Sequence, residues 1–355
     1  MKIALLNDTH FGARSDSPIF NEYFYKFLET NFFPYLKQNN ITTLIHLGDV
    51  VDRRKFVNFK IAHDIRNRFF NRLWKEKIDT HIILGNHDTY YKNTNLINAI
   101  DELCTTYDGR HEPYIYTRPT IKTFNGTKIL FLPWIAPDVE EETKKFLKTA
   151  SADIVMGHLA VEGFEMHSGY INREGLKKEH FSRFEKILSG HFHKKSDDGQ
   201  IYYLGSPYEM TWNDYKCPKG FHIFDTETRE LTRISNPLRI FKKIIYDDTQ
   251  EEYSSKEIKE YNNCFVKIIV ANKTNATIFD KFIDRLYKEI TTHEINIIED
   301  YSEIKESIKQ DLLAEAGEDT MTFLNKYIEQ LNVSVDKEKL KKLLKVLYSE
   351  ANDSI

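Results

Sequence analysis

The chain has 355 residues, 41% hydrophobic and 29% charged, with a net charge of −4. This is the composition of an ordinary globular protein built from more than one unit, and its slight acidity argues against a surface coated in basic charge for holding nucleic acid non-specifically. No apolar run approaches the roughly 18–20 residues of a membrane span, so no membrane association is expected.

An apolar strand over 3–6 opens the chain and runs straight into Asp8-Thr9-His10, leaving no room for a signal peptide. Helical spacing follows over 19–38, with Phe20, Phe24, Phe27 and Leu28 on one face. A strand over 43–47 then ends in Gly48-Asp49-Val50-Val51-Asp52 and the basic run Arg53-Arg54-Lys55. A second helical stretch over 57–76 leads to a strand over 81–84, which ends in Gly85-Asn86-His87-Asp88 with Tyr90 and Tyr91 just beyond. A strand over 128–132, a helix over 138–150 and a strand over 153–156 precede Gly157-His158. Strands alternating with helices predict a largely parallel, buried sheet.

From 186 to 235 the pattern shortens and turns β-rich, with strands over 186–188, 201–204, 221–224 and 231–234. The first of these ends in Gly190-His191-Phe192-His193, followed by Lys194-Lys195. The expected architecture is α/β, with two packed sheets and helices outside both, over residues 1–237. A change of character around Ser235-Asn236-Pro237 marks a boundary. Residues 238–302 predict a small α/β unit, with strands near 242–246, 265–270 and 295–298 and a helix near 277–290. Residues 303–355 read as wholly helical. Leu324 and Ile328 lie on one apolar stripe and Leu343 and Leu347 on another. Such a pair either folds back on its own domain or docks in a partner's groove. Cys104, Cys217 and Cys264, odd in number and without a CxxC pair, read as reduced core residues of a cytosolic protein.

The five motifs contain Asp8, His10, Asp49, Asn86, His158, His191 and His193. Hard or borderline divalent ions take such oxygen and imidazole donors, and in open α/β sheets ligands gather at the carboxyl ends of strands. Each motif follows a predicted strand, so neighbouring loops would deliver all these donors to one point. One residue separates Asp8 from His10 and His191 from His193, and in an extended segment such residues face the same side. Glycines ahead of Asp49, Asn86, His158 and His191 predict tight turns that swing the donors inward. Two ions about 3.5–4 Å apart bind an attacking water and a phosphoryl oxygen together, and Asp49 is the natural carboxylate for them to share. His87 adjoins a donor without being needed as one, and Asp88 after it is read as a supporting residue that hydrogen-bonds its own loop. With Asp52 to orient and charge it, His87 forms a pair suited to general-acid work or transition-state stabilisation. Arg53, Arg54 and Lys194 beside these loops predict a phosphate-facing rim, and Tyr90 a stacking contact with a base. Other histidines, such as His46 and His222, are read as satisfied core or surface side chains, because only joint occurrence marks the motif set.

In this order, over about residues 1–235, the motifs resemble those of the calcineurin-like metallophosphoesterase superfamily. Asp8-Thr9-His10 near the start, the run from Gly85 to Asn93, and Gly205-Ser206-Pro207-Tyr208 extend the resemblance to SbcD-type nuclease subunits of double-strand-break repair complexes. Among these, the chain is similar to the recombination nuclease subunits of T-even-like bacteriophages. The resemblance implies that Asp8, His10, Asp49 and His193 hold one metal, that Asp49, Asn86, His158 and His191 hold the other, and that His87 is catalytic. It implies Mn²⁺ as the usual ion, with Mg²⁺, Fe²⁺ or Zn²⁺ as alternatives, a capping domain over 238–302, and a tail over 303–355 that binds an ABC-type ATPase subunit. DNA as substrate, a homodimer and a cytoplasmic location (the host's, if phage-encoded) follow on the same footing. Many cellular members carry histidine where this chain has Asp52. A protein phosphatase or small phosphodiesterase of the same superfamily is the alternative, since Gly48-Asp49-Val50-Val51-Asp52-Arg53 fits it nearly as well. The third motif disfavours it, because Ser/Thr phosphatases usually read Gly-Asn-His-Glu there.

Overall fold

The computed structural model describes residues 1–104, 113–167, 170–299 and Lys341. Strands β1 (Lys2–Leu6), β2 (Thr43–His46), β3 (Asp79–Ile83) and β4 (Tyr114–Tyr116) pair in parallel, each with the next. The first two crossovers carry the long helical runs Pro18–Phe27 through Phe33–Gln38 and Phe59–Asp64 through Asn71–Lys75. Strands β5 (Thr120–Phe124) and β6 (Thr127–Leu132) form a hairpin about Asn125-Gly126, whose φ values of 46° and 81° suit a two-residue turn. Helix Glu140–Thr149 then leads to β7 (Ile154–His158), parallel to β6. A short hairpin of β8 (Glu165–His167) and β9 (Tyr170–Ile171) precedes β10 (Lys186–Gly190), which returns parallel to β7. Strands β11 (Ser196–Asp197) and β12 (Ile201–Tyr203) complete the second sheet, whereas β13 (Gly220–Asp225) and β14 (Leu231–Ser235) cross back to the first.

The two six-stranded sheets have the orders β14-β13-β1-β2-β3-β4 and β11-β12-β10-β7-β6-β5. They pack face to face because alternate residues of their strands are apolar. Ile3, Leu5, Ile45, Leu47 and Ile83 from one sheet meet Ile129, Phe131, Ile154, Met156 and Leu188 from the other. The outer face of the second sheet (Leu130, Leu132, Val155, Ile187, Ile201) is covered by Leu147, Phe181 and Phe184. Helical aromatics cover the first sheet: Phe27 and Phe32 meet Phe221 of β13 edge-on at 6.2 and 5.0 Å between centroids, and Phe24 stacks on the loop residue Tyr208 at 3.9 Å. The result is the expected two-sheet sandwich with helices outside. The first compact unit comprises Met1–Met210 and Asp214–Phe241.

The second unit takes Thr211–Asn213 and the chain from Lys242. Its sheet has the order β15 (Phe241–Asp247), β16 (Phe265–Asn272), β17 (Glu294–Ile298). Helix Ala276–Glu289 starts where the Asn275 side chain accepts from the amides of Thr277 and Ile278, a regular N-cap. Phe279, Phe282 and Leu286 on its buried face pack against Ile244, Tyr246, Val266 and Ile268.

Cys104 and Cys264 are buried and reduced, but Cys217 is only half-buried, so it is not the core residue expected. No helix among the described residues is long and apolar enough to cross a membrane. Leu324, Ile328, Leu343 and Leu347 lie outside the described residues.

Candidate metal centre

All the motifs stand at the carboxyl ends of parallel strands: Asp8 after β1, Asp49 after β2, Asn86 after β3, His158 as the last residue of β7 and His191 just after β10. The loops continue the strand pairing beyond the strands. Asp8 N donates to the Gly48 carbonyl at 2.9 Å, His10 N to Asp49 at 3.1 Å and Phe11 N to Val50 at 2.9 Å. Asp8, His10, Asp49 and His191 have φ values of 50°, 41°, 56° and 87°. This corrects the expectation of extended segments, since left-handed backbone rather than strand alternation aims these donors inward. Such a conformation is unfavourable for residues other than glycine and is held only where the surroundings over-determine it. Of the glycines ahead of the donors, only Gly48 has positive φ, at 91°. Gly85, Gly157 and Gly190 are needed instead for close approach, because a Cβ on any of them would overlap a neighbouring main-chain atom.

The seven donors come together. Three groups each place one ligand atom per residue within 4.8 Å of the others: Asp8, His10 and His193; His10, Asp49 and His87; and Asp49, His158 and His191. Asp49 Oδ2 lies 3.6 Å from His10 Nε2 and 3.1 Å from His158 Nε2, between the two sides of the cluster. Asn86 Oδ1 is 2.9 Å from His158 Nε2, and the Nε2 atoms of His10 and His193 are 3.0 Å apart. Asp8, Asp49, Asn86 and His158 are buried to 1% exposure or less. His158 Nδ1 donates to the Leu47 carbonyl at 2.8 Å, which leaves Nε2 to face the cluster.

Burial and mutual attraction set the charge states of the cluster. Burial raises the Asp8 carboxyl, and the nearby Asp49 charge raises it further. Burial also disfavours the charged forms of Asp49 and His158, but their mutual attraction outweighs it. Asp49 is therefore held well below the usual carboxylate range, and His158 is pushed up to about 9. His193, half-buried and facing His10, is held well below the ordinary histidine range by desolvation and by the neighbouring His10 and Lys219. Oxygen and imidazole donors with buried carboxylates fit hard or borderline divalent ions.

His87 stands at the rim, half-buried, its ring 4.5 Å from that of His10. Its backbone N–H donates to Asp49 Oδ1 at 2.9 Å, and its Nδ1 contacts the main-chain carbonyl of Asp52. The Asp52 carboxylate turns elsewhere, 3.4 Å from His10 Nδ1. The contact between Asp52 and His87 is thus made by the Asp52 backbone, where a carboxylate was expected, because the loop after β2 passes its carbonyl over the imidazole.

The rim residues are placed as follows. Arg53 pairs with Asp16 and lies 4.3 Å over the Phe56 ring, and Lys194 pairs with Glu165 at 2.6 Å. Arg54 is half-buried, and Tyr90, 39% exposed, meets Tyr91 edge-on at 4.7 Å. Asp88 was expected to support its own loop, whereas Trp134, Phe56 and Phe59 were not foreseen. Asp88 accepts from the amides of Gly85, Asp49, Val50 and Val51 at 2.8–3.2 Å and so ties the second motif to the third. Trp134 packs 5.3 Å from the His191 ring. Its only sequence signal is its place just after a buried strand. Phe56 and Phe59, 56% and 94% exposed, follow the basic run. Their alternation with Arg54, Lys55 and Lys60 was visible in the sequence as a basic and aromatic patch.

Residues 1–195 match the calcineurin-like phosphoesterase family. The chain belongs to that family. It is a metal-dependent phosphodiesterase, and its fold is the two-sheet metallophosphoesterase sandwich. This phosphoesterase is 30% identical over 356 residues to exonuclease subunit 1 of Enterobacteria phage T4, covering 99% of each chain. Among solved structures it matches an archaeal phosphodiesterase at 18% identity and a TM-score of 0.30, covering 66% of this chain and 99% of the other.

Proposed function

We propose that this phosphoesterase is a Mn²⁺-dependent DNA nuclease that hydrolyses phosphodiester bonds at DNA ends, together with an ABC-type ATPase subunit, in recombination and repair. The observation that carries the reading is the convergence of all seven motif donors on one buried point, in a chain similar along its whole length to a phage exonuclease subunit. Asp8, His10, Asp49 and His193 would hold one ion, and Asp49, Asn86, His158 and His191 the other, with Mn²⁺ favoured over Mg²⁺, Fe²⁺ or Zn²⁺. Bound there, two divalent ions acidify a water and neutralise charge on the phosphoryl oxygens.

The protein's own residues supply the rest. A carbonyl can only accept, so the contact with Asp52 keeps the proton of His87 on Nδ1. Nε2 of His87, 4.0 Å from Asp49 Oδ2, therefore carries a proton only in the imidazolium form and can pass it to the leaving alkoxide. Arg53, Arg54 and Lys194 line the phosphate side. Tyr90, with the exposed Phe56 and Phe59, offers faces on which unpaired bases stack. No base-reading element stands out, so the backbone and ends of DNA are recognised rather than its sequence. The tail carrying Leu324, Ile328, Leu343 and Leu347 is the proposed ATPase tether, and a homodimer in the host cytoplasm is the proposed working form.

The test is degradation of linear duplex and single-stranded DNA with Mn²⁺, with and without chelator, beside hydrolysis of p-nitrophenyl phosphate. Chelator-sensitive DNA loss with little monoester turnover is expected. Fast monoester hydrolysis with intact DNA would move the protein to the phosphatases of the family. His87→Ala should lower cleavage by about 10²–10⁴-fold while leaving Mn²⁺ binding unchanged. Undiminished cleavage in that variant would refute the role given to His87.

A further inference from the structure

Lys219 is a buried cation that the proposed mechanism does not use. Its side chain is fully buried, and no sequence motif singles it out. An ammonium has three donors, and all are satisfied here: Nζ donates to the His193 carbonyl at 3.0 Å, to Ser206 Oγ at 2.6 Å and to the carboxylate of Asp214. These partners are themselves fixed. The His193 carbonyl also accepts from Ser206 N at 3.1 Å, Ser206 Oγ donates to the Tyr208 carbonyl at 3.1 Å, and Asp214 Oδ2 accepts from Met210 N at 2.8 Å. The Lys219 backbone is held by Asn236 N, which donates to its carbonyl at 2.8 Å. One side chain thus joins the fifth motif to the loop after β12 and to the start of β13.

A buried ion pair is weak evidence for stability, because an apolar pair of similar volume often does as well. The informative feature is where this ammonium points, at the main chain of the residue whose imidazole meets His10 across the cluster. We propose that Lys219 is a positioning residue for the metal centre: it fixes the His193 main chain so that the imidazole stands ready to hold the ion shared with Asp8 and His10. This rests on the two-ion reading above. Lys219 does not touch substrate or ion. Residues behind metal ligands commonly change affinity by about 10–100-fold when altered.

The test is Mn²⁺ binding to the full chain by isothermal titration calorimetry, with thermal melting as the control for folding. The charge pair is removed as a unit in Lys219→Met/Asp214→Asn, so that no lone buried charge remains. Ser206→Ala removes a milder anchor of the same lysine. In the double variant, one of the two ions is expected to weaken by about 10-fold or more while the other keeps its affinity. A smaller loss at the same ion is expected in Ser206→Ala, with kcat for DNA falling and KM unchanged in both. If the folded double variant binds both ions as the wild type does, Lys219 only closes a loop and the proposal is overturned. If the double variant does not fold, Ser206→Ala decides, and an unchanged isotherm there overturns the proposal. Failure of the wild type itself to bind two ions would instead sink the underlying two-ion reading.

Discussion

At the scale of single residues, His158 shows how the centre is held before a cation enters. Its imidazole, pushed up to about 9 by Asp49 and Asp8 against burial, shares a proton with Asp49 across 3.1 Å. A ligating imidazole must be neutral, so an ion entering near pH 7.5 has to expel that proton. Titrating Mn²⁺ into the chelated protein in two buffers of different ionisation enthalpy should show about one proton released by this histidine. Proton release should fall away as pH rises through about 9, where His158 loses its proton unaided, and a heat independent of buffer at pH 7.5 would contradict the assignment. The sign for stability follows. A raised histidine stabilises the metal-free protein below the ordinary histidine pKa, and that contribution is lost as pH rises toward about 9.

At the scale of elements, the centre depends on how closely the ends of β2 and β3 approach. Asp88 gathers four backbone amides from the two loops, and burial, with Asp49 nearby, pushes its carboxyl up to about 6 while those amides pull it back. Asp88→Ala would leave those donors unmet at about 1–3 kcal/mol each, so urea denaturation should show a loss of more than about 3 kcal/mol. Gly85 lies under Asp49 so closely that a Cβ there would overlap the Asp49 nitrogen and carboxylate. Gly85→Ala should therefore abolish Mn²⁺ binding at the shared position, read by calorimetry, with a lowered melting temperature. Retention of both ions would mean that the loops can separate without harm. The dipeptide Asn125-Gly126 is an element-scale signal that was available in the sequence, yet β5 ahead of it was not anticipated, because its strand is short and mixed in polarity.

At the scale of the whole molecule, every candidate ligand among the described residues belongs to the first compact unit, which ends at Phe241. Removing residues 303–355 should leave Mn²⁺ binding and hydrolysis of bis(p-nitrophenyl) phosphate unchanged, and should remove association with the proposed ATPase partner. Loss of small-diester hydrolysis in a folded truncated chain would mean that the tail contributes to the site itself. The crossed topology serves the same centre. Return of β13 to the first sheet, antiparallel to β1, sets Lys219 at its start, behind the fifth motif.

The sequence by itself determined the sandwich and the set of seven donors, because strand alternation, helical spacing and five motifs at strand ends are local patterns. What only the tertiary structure decided were relations between residues distant in the chain. The left-handed turns at Asp8, His10, Asp49 and His191 exist because neighbouring loops hold them. The turning of Asp52's carboxylate toward His10, with its carbonyl left to His87, depends on the path of the loop after β2. In the sequence Lys219 looks like an ordinary charged residue, and Asp88 like a support for its own loop alone. They become parts of the site only when folding buries them, since a buried charge must find its partners among whatever main-chain groups the fold brings within reach.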